Sequence, residues 1–211
     1  KRVAADISVG YTSTEISNWN SGHLRLAPRF RVNDQFMINY VYSLQYSNNN
    51  RGWATHDDNE DQIIYAARDI ITHTNVLNLD YIFTNRMGVS FRLRHYWSYV
   101  NNHEFFQLAE DGALYATDFQ GFEDDGSSPY NQSFNAFNID MVYKWVFSPG
   151  SEIRVVWKQN ITDFTEDVPV SFQDNFERTI GLPQSNSISL KVLYFIDYLS
   201  LTRKGSRSIE N

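Results

Sequence analysis

Histidines are the side chains best suited to acid–base or metal chemistry near neutral pH. The chain contains 5 of them, at His23, His56, His73, His95 and His103. None belongs to an H-E-x-x-H pair, which would bind zinc from one helix face, and no G-x-S-x-G turn for a serine nucleophile is present. His103 precedes Glu104, but a histidine beside an acid on a surface is usually incidental. We therefore predict no catalytic residue among the histidines.

A calcium loop is the metal site that the acidic stretches come closest to. Asp57, Asn59 and Asp61 match the first, third and fifth positions of an EF-hand loop. The sixth position holds Gln62 instead of glycine, and the twelfth holds Arg68 instead of glutamate. This mismatch excludes an EF-hand and leaves a looser calcium site in the acidic loops as the alternative. The chain has 0 Cys, which excludes thiolate ligands and disulfides. Since no specific motif for a bound group is found either, we expect no cofactor.

Carboxylates could also serve glycoside hydrolysis, which needs two of them at a defined separation across a cleft. The polar stretches hold many acids, and no pair stands out. Trp19, Trp53 and Tyr115 could stack on a sugar ring, or they could simply pack the polar stretches together. A loop-borne hydrolase is therefore a weaker interpretation than a role without catalysis.

The elements that position these residues are strands, because apolar and polar side chains alternate with a period of two. Between Phe36 and Ser47 the even positions are apolar and most odd positions are polar. Side chains of a strand point alternately to opposite faces, so each such segment has one apolar and one polar face. The pattern returns in the segments 77–83, 89–93, 137–147 and 188–198.

Composition restricts the class of protein further. Aromatic residues make up 16% of the chain, which favours strands, and the mean hydropathy of −0.47 excludes a helical membrane protein. The formal net charge of −7 argues against nucleic-acid binding. A transmembrane β-barrel is compatible with all of these values, because only alternate residues of its strands are apolar.

About eight segments have the length and alternation of membrane-crossing strands. They span residues 4–13, 22–32, 35–47, 70–84, 88–100, 134–147, 151–162 and 185–199. Short turns at 32–35, 84–88 and 147–150 alternate with long polar connections at 14–21, 48–69, 101–133 and 163–184. This alternation requires that the apolar run 63–67 be structure within a loop. Pro28 cannot donate a ladder hydrogen bond and predicts a bulge or a local edge in the second strand.

Long extracellular loops and short periplasmic turns are typical of outer-membrane barrels. The predicted fold class is therefore all-β, an antiparallel transmembrane β-barrel of about eight strands. The predicted barrel, or barrel portion, covers residues 1–199, and a basic tail follows at 200–211.

The alternation assigns most charged strand residues to one face, which would line the lumen of a barrel. The lumen-facing candidates are Arg25, Arg29, Asp80, Arg92, Arg94, Asp140, Lys144, Arg154 and Lys158. Because both signs occur, we expect ion pairs between strands. Aromatic residues near the strand ends are candidates for the girdles at the two membrane interfaces, namely Tyr46, Phe83, Trp97, Trp145 and Tyr198. His95 and Gln159 interrupt the apolar face.

Several stretches resemble a known family, namely residues 92–98, 134–145, 148–152, 155–158 and 186–198. They are similar to the C-terminal barrel domain, of unknown function, of outer-membrane proteins from Bacteroidota. In those proteins a domain like a family-nine carbohydrate-binding module comes first. The resemblance implies an outer-membrane location and a link to glycan handling, and it allows this chain to be the C-terminal part of a larger barrel.

These expectations combine into one first interpretation. It is a bacterial outer-membrane β-barrel that acts as the membrane anchor or channel of a surface protein, in glycan binding or uptake. The expected partners are outer-membrane lipid, a glycan bound through an upstream module, and other outer-membrane proteins. The alternatives are a barrel subunit or scaffold of a larger outer-membrane complex, a loop-borne hydrolase, and a soluble sugar-binding sandwich. Alternation alone does not decide which face looks inward.

Overall fold

The described part of the chain consists almost entirely of strands. A computed structural model describes residues 2–15, 18–168 and 171–196. Its elements are β1 Val3–Ser13, β2 Asn20–Arg31, β3 Phe36–Asp57, β4 Gln62–Thr84, β5 Met87–Leu108, β6 Leu114–Ala116, β7 Gln132–Ser148, β8 Ser151–Thr165, α1 Phe172–Ile180 and β9 Ser185–Leu193. The predicted tail at 200–211 and Tyr198 lie outside the described residues.

All strands belong to one antiparallel sheet. Its order is β1-β2-β3-β4-β5-β7-β8-β9, and β6 pairs only with β5. Apart from β6, strands that follow one another along the chain are therefore neighbours in the sheet, as in an up-and-down meander. The predicted all-β antiparallel class is confirmed. Closure is not observed within the described residues, because β1 pairs only with β2 and β9 only with β8.

The strand register sorts side chains into two faces, as the alternation predicts. One row of directly opposed residues across the sheet is Phe36, Tyr81, Val89, Tyr143, Val155 and Leu190. We call the side that carries this row the apolar face. A neighbouring row is Arg29, Asn39, Asn78, Arg92, Asp140, Lys158 and Ser187. We call the side that carries this second row the polar face.

The prediction of a long loop over 48–69 is wrong. β3 and β4 continue through this stretch as a long hairpin that turns at residues 58–61, and the run 63–67 is part of β4. Two register shifts in β3, between Ser47 and Asn50 and between Trp53 and Thr55, absorb its irregular residues. The pairing persists because Ile64 and Ala66 of β4 are completely buried.

The other connections keep the predicted asymmetry. Short turns join β2 to β3, β4 to β5 and β7 to β8, all at one end of the sheet, which we call the short-turn end. At the opposite end, residues 109–131 contain β6 and residues 166–184 contain α1. The prediction that 163–184 is only a polar connection missed that helix.

Pro28 interrupts pairing without ending the strand. It stands opposite Ala5 of β1, but the ladder between β2 and β3 is broken between the pairs Leu26–Tyr42 and Arg29–Asn39. The same number of residues is skipped on both strands, so the register is preserved and no bulge forms. The missing N–H of Pro28 explains the gap.

No helix among the described residues is both long and apolar enough to cross a membrane.

Candidate functional site

The polar face gathers all nine residues that the sequence assigns to a lumen. Their register positions place Arg25, Arg29, Asp80, Arg92, Arg94, Asp140, Lys144, Arg154 and Lys158 on the same side of the sheet. That this side lines a lumen stays a prediction, because the described sheet is open.

Ion pairs link charged side chains of the polar face, three of them between neighbouring strands and one, between Arg154 and Glu152, within β8. They join Arg29 to Asp6 at 2.9 Å, Arg154 to Glu152 at 2.8 Å, Lys144 to Glu152 at 3.3 Å and Lys158 to Asp140 at 3.8 Å. Ser90 Oγ also donates a hydrogen bond to Asp80 at 2.7 Å. Most of these groups are half exposed, so solvent screens each pair and its contribution to stability is small. Their effect is to hold charged side chains along this face.

The apolar face carries no such charge. Asp, Glu, Lys and Arg are absent from the apolar-face positions of β1 to β5 between the short-turn end and the level of Tyr99. They are also absent from all described apolar-face positions of β7 and β9. In β8 the same is true from Ile153 to Ile161. Apolar side chains in the outer strands are widely exposed, with Val9 at 73% and Ile188 at 76%. Nothing among the described residues covers this face near the short-turn end.

Aromatic rings form a band on the apolar face at the short-turn end. The ring centroids are 5.8 Å apart for Phe36 and Tyr81, 4.8 Å for Tyr81 and Phe83, 5.9 Å for Trp145 and Phe147, and 6.2 Å for Phe147 and Tyr194. The band thus contains two of the predicted girdle residues, Phe83 and Trp145. Their exposed fractions are 43% and 42%, so both rings face the surroundings of the protein.

The predicted girdle residues at the other end have protein contacts. Tyr46 lies over Gly22 of β2, where a Cβ would come within 2.6 Å of the ring. A side chain at that position would force the ring to move, and the ring covers the backbone that glycine leaves bare. Trp97 is only 2% exposed, because it packs against His73, Tyr99 and Phe172.

Helix α1 is the main feature of the site that sequence reasoning missed. Its N-cap is Ser171, whose Oγ accepts a hydrogen bond from the Asp174 N–H at 3.2 Å. A serine followed three residues later by an acid is the expected capping signal, and it was present in the sequence. The helix lies against the apolar face, where Asn175 and Asn135 exchange two hydrogen bonds of 2.9 and 2.7 Å. Arg178 completes the attachment through an ion pair of 2.7 Å with Asp163.

The helix also explains the two interruptions of the apolar face. His95 is 1% exposed and lies among the rings of Phe137, Phe172 and Phe176. Gln159 bonds to Gln184, which lies in the connection just after α1. Both polar side chains therefore meet the segment that contains the helix. Between that segment and the short-turn end, the face is uniformly apolar in the central strands.

The connection 109–131 packs on the polar face, on the opposite side of the sheet from α1. β4 has no bulge between Ile64 and Asn78, so Ile64 and Ala66 stand on the polar face. There they form a buried cluster with Phe105, against which Phe119 and Tyr130 of the connection 109–131 are packed. Asn131 Oδ1 fixes this connection by accepting the Asn102 backbone N–H at 2.8 Å. The polar face is thus covered at the end far from the short turns.

His56 is held at the tip of the β3–β4 hairpin. Its ring nitrogens lie 2.9 Å from Asp58 and 3.2 Å from Asp61, and the hydrogen bond to Asp58 is the main reason why its pKa is raised. The group is solvent-exposed. Within residues 2–15, 18–168 and 171–196, no three His, Cys, Asp or Glu side chains are placed to hold a metal ion.

Comparison with known proteins identifies a family and nothing beyond it. The model of the family described as "Domain of unknown function (DUF5916)" matches residues 1–204. No curated protein matches the chain. No solved structure matches it either.

Proposed function

The chain belongs to the DUF5916 family, whose function is unknown, and we propose that it forms the wall of a bacterial outer-membrane β-barrel. In this role it acts as the membrane anchor or the channel of a surface protein. The polar face lines the lumen, and the apolar face contacts the acyl chains.

The observation that carries this proposal is the separation of charge between the two faces. The polar face holds rows such as Arg92, Asp140 and Lys158, whereas the apolar face is without Lys, Arg, Asp and Glu over the segments given above. A soluble sheet buries its apolar face against another layer. Among the described residues, the only element that covers that side is α1, which leaves the short-turn half open to the surroundings. Alternating strands with one lipid-facing side are the pattern of membrane barrels.

The aromatic band supports the same placement. Rings with a polar edge prefer the level of the lipid headgroups, where one side is apolar and the other is wet. Tyr81, Trp145 and Tyr194 provide such rings at the short-turn end. We assign this end to the periplasmic interface, because short periplasmic turns accompany long outer loops in such barrels.

The position of helix α1 supports a second membrane boundary, at the end of the sheet opposite the short turns. Its residues Phe172, Asn175 and Phe176 face the sheet, while Gln173, Asp174 and Glu177 are exposed. Two carboxylates turned outward need water or headgroups, so α1 lies at or above the outer interface. The long hairpin of β3 and β4 then extends outside the membrane.

Closure requires further strands. In lipid an open edge leaves backbone N–H and C=O groups without partners, at a cost of several kcal/mol each by order of magnitude, about what burial of an unbonded amide costs. β1 and β9 are the open edges of the described sheet. We propose that additional strands of the same protein pair with them, so that this sheet is part of a larger barrel.

Glycan binding or uptake is the physiological role we propose for this barrel. It follows from the resemblance to barrel domains of Bacteroidota proteins that carry a carbohydrate-binding module. Two aromatic side chains at the outer end, Trp53 and Tyr115, are 57% and 55% exposed and are available to stack on a sugar.

Insertion into lipid tests the proposal. The full-length protein is refolded from denaturant in the presence of liposomes and centrifuged through a density gradient. We expect it to float with the lipid, to resist extraction at high pH, and to migrate differently on a gel with and without boiling. Recovery of folded, monodisperse protein from the aqueous fraction without detergent would contradict it and favour a soluble sandwich.

A further inference from the structure

The polar face carries more positive than negative charge, although the chain as a whole is acidic. The region considered extends from the short-turn end to the register shifts near Asn50 of β3 and Asn102 of β5. Its basic residues are Arg25, Arg29, Arg31, Arg92, Arg94, Lys144, Arg154, Lys158 and Lys191. The acidic residues in the same region are Asp6, Asp80, Asp140 and Glu152. The formal net charge of the whole chain is −7, so its acids are concentrated elsewhere.

Ion pairs neutralise only some of these basic residues. Asp6 pairs with Arg29, Asp140 with Lys158, and Glu152 with both Lys144 and Arg154. Among the described residues, Arg25, Arg92 and Arg94 have no ion-pair partner within 4.0 Å, and their side chains are exposed.

Arg92 and Arg94 form the centre of this surplus. They stand two residues apart on β5, so both point to the polar face. Arg94 is flanked by Val76 on β4 and Asn138 on β7, neither of which is acidic. Arg92 stands opposite Asp140, but that carboxylate makes its ion pair with Lys158. Two guanidinium groups therefore remain available to an outside anion.

The surplus continues to a concave site at the short-turn end. A cavity of about 740 Å³ there is lined by Arg86, Lys144 and Arg154 on the basic side and by Asp80 on the acidic side. A ligand that moves along the polar face thus meets basic groups from the middle of the sheet to the short-turn end.

We propose that the polar face selects anionic ligands over neutral and cationic ones, with Arg92 and Arg94 as the central binding residues. Fixed positive charge in a partly enclosed surface raises the local concentration of anions. Guanidinium groups also bind carboxylate, sulfate and phosphate in two-point geometry. This inference rests on the proposed barrel for its setting, but the charge distribution on which it stands is independent of membrane insertion.

Binding of charged polymers provides the test. Full-length protein that has been refolded in detergent is titrated with fluorescent dextran sulfate, neutral dextran and cationic DEAE-dextran at low and high salt. We expect dextran sulfate to bind and the other two not to bind. Replacing both central arginines in R92Q/R94Q should weaken dextran sulfate binding about three- to tenfold, the loss expected for two partly screened charge contacts.

A matched control separates the site from the overall charge. Arg51 lies outside the polar face, stacked over the Phe106 ring at 4.9 Å. R51Q removes one positive charge, as R92Q does, and should leave the dissociation constant unchanged. Equal weakening by R51Q and R92Q, or unchanged binding in R92Q/R94Q, would overturn the proposal.

Small anions form a second arm of the experiment. The protein is reconstituted in planar bilayers under a KCl gradient, and the reversal potential is measured. A potential that favours chloride, shifted toward zero in R92E/R94E, supports selection of small anions. A potential that favours potassium overturns it. Lipid flotation of the same preparation shows separately whether the barrel itself has formed, so the two proposals fail independently.

Discussion

Leu79 and Asn78 are adjacent residues of β4 that belong to different faces. Leu79 stands opposite Ile38 and Phe91 on the apolar face. Asn78 stands opposite Asn39 and Arg92 on the polar face. A single step along the strand therefore changes the surroundings of the side chain completely, and this contrast permits a prediction at the scale of one residue.

Replacing Leu79 with arginine should destabilise the protein in lipid by about 2–4 kcal/mol, because the cation would enter the hydrocarbon layer. The same replacement at Asn78 should cost about 1 kcal/mol or less, because it adds a charge to a hydrated face. Denaturant titrations of both variants refolded in lipid vesicles measure the two values. Equal losses at the two positions would argue against the assignment of the faces.

His56 allows a prediction about pH. Its hydrogen bond to Asp58 raises its pKa above the ordinary value of 6.5. The stabilisation that the protonated His56 ring gains from Asp58 is fully present below pH 6.5, and it is lost as the pH rises through the raised pKa of His56. NMR titration of the His56 ring should show this raised pKa, and D58N should bring it back toward 6.5. An identical titration curve in D58N would show that Asp58 is not the cause.

At the scale of the elements, α1 was accessible to prediction only in part. Ser171 and Asp174 carry a recognisable N-cap signal, but nothing local indicates where the helix lies. Its position depends on Asn135 and Asp163, which are remote in sequence and reach the helix only after β7 and β8 have paired. The prediction of a polar connection at 163–184 rested on composition and loop length alone.

Removal of the cap should loosen this helix. S171A is expected to cost about 0.5–2 kcal/mol of local stability, because an N–H in the first turn loses its acceptor. Hydrogen exchange at the amides of Asp174 and Asn175 should become faster as a result. Q173A, on the exposed side of the helix, removes only a bond to Glu177 and should have a smaller effect. Similar acceleration in the two variants would mean that capping by Ser171 is not what holds α1.

For the β3–β4 hairpin, the sequence predicted a loop where the structure has paired strands. Its outer half has many polar residues and was assigned to a loop, yet it is paired from Asn50 to Asp57 with one register shift between Trp53 and Thr55. Strand propensity in this stretch is low. The pairing is held by the buried side chains of Ile64 and Phe105, which belong to the two following strands.

At the scale of the whole molecule, the sheet has two chemically different ends. One end has short turns and an aromatic band, and the other has α1 and the connection 109–131. The proposed orientation places the second end outside the cell and the first in the periplasm.

Cysteine labelling can test this orientation, because the chain has 0 Cys. Asp124 and Asn85 are exposed residues of the long connection 109–131 and of the turn between β4 and β5. In intact cells, D124C should react with a membrane-impermeant maleimide, whereas N85C should react only after the outer membrane is permeabilised. Labelling of N85C in intact cells would reverse or refute the orientation.

The sequence by itself determined which side chains share a face. In an extended chain this depends only on a period of two, so the separation of Phe36, Leu79 and Ile139 from Arg92 and Lys158 was present before any contact was known. The tertiary structure decided how far the strands extend, where α1 packs, which charges pair and that the described sheet stays open. These features depend on contacts between residues far apart in the chain, and no local pattern specifies such contacts.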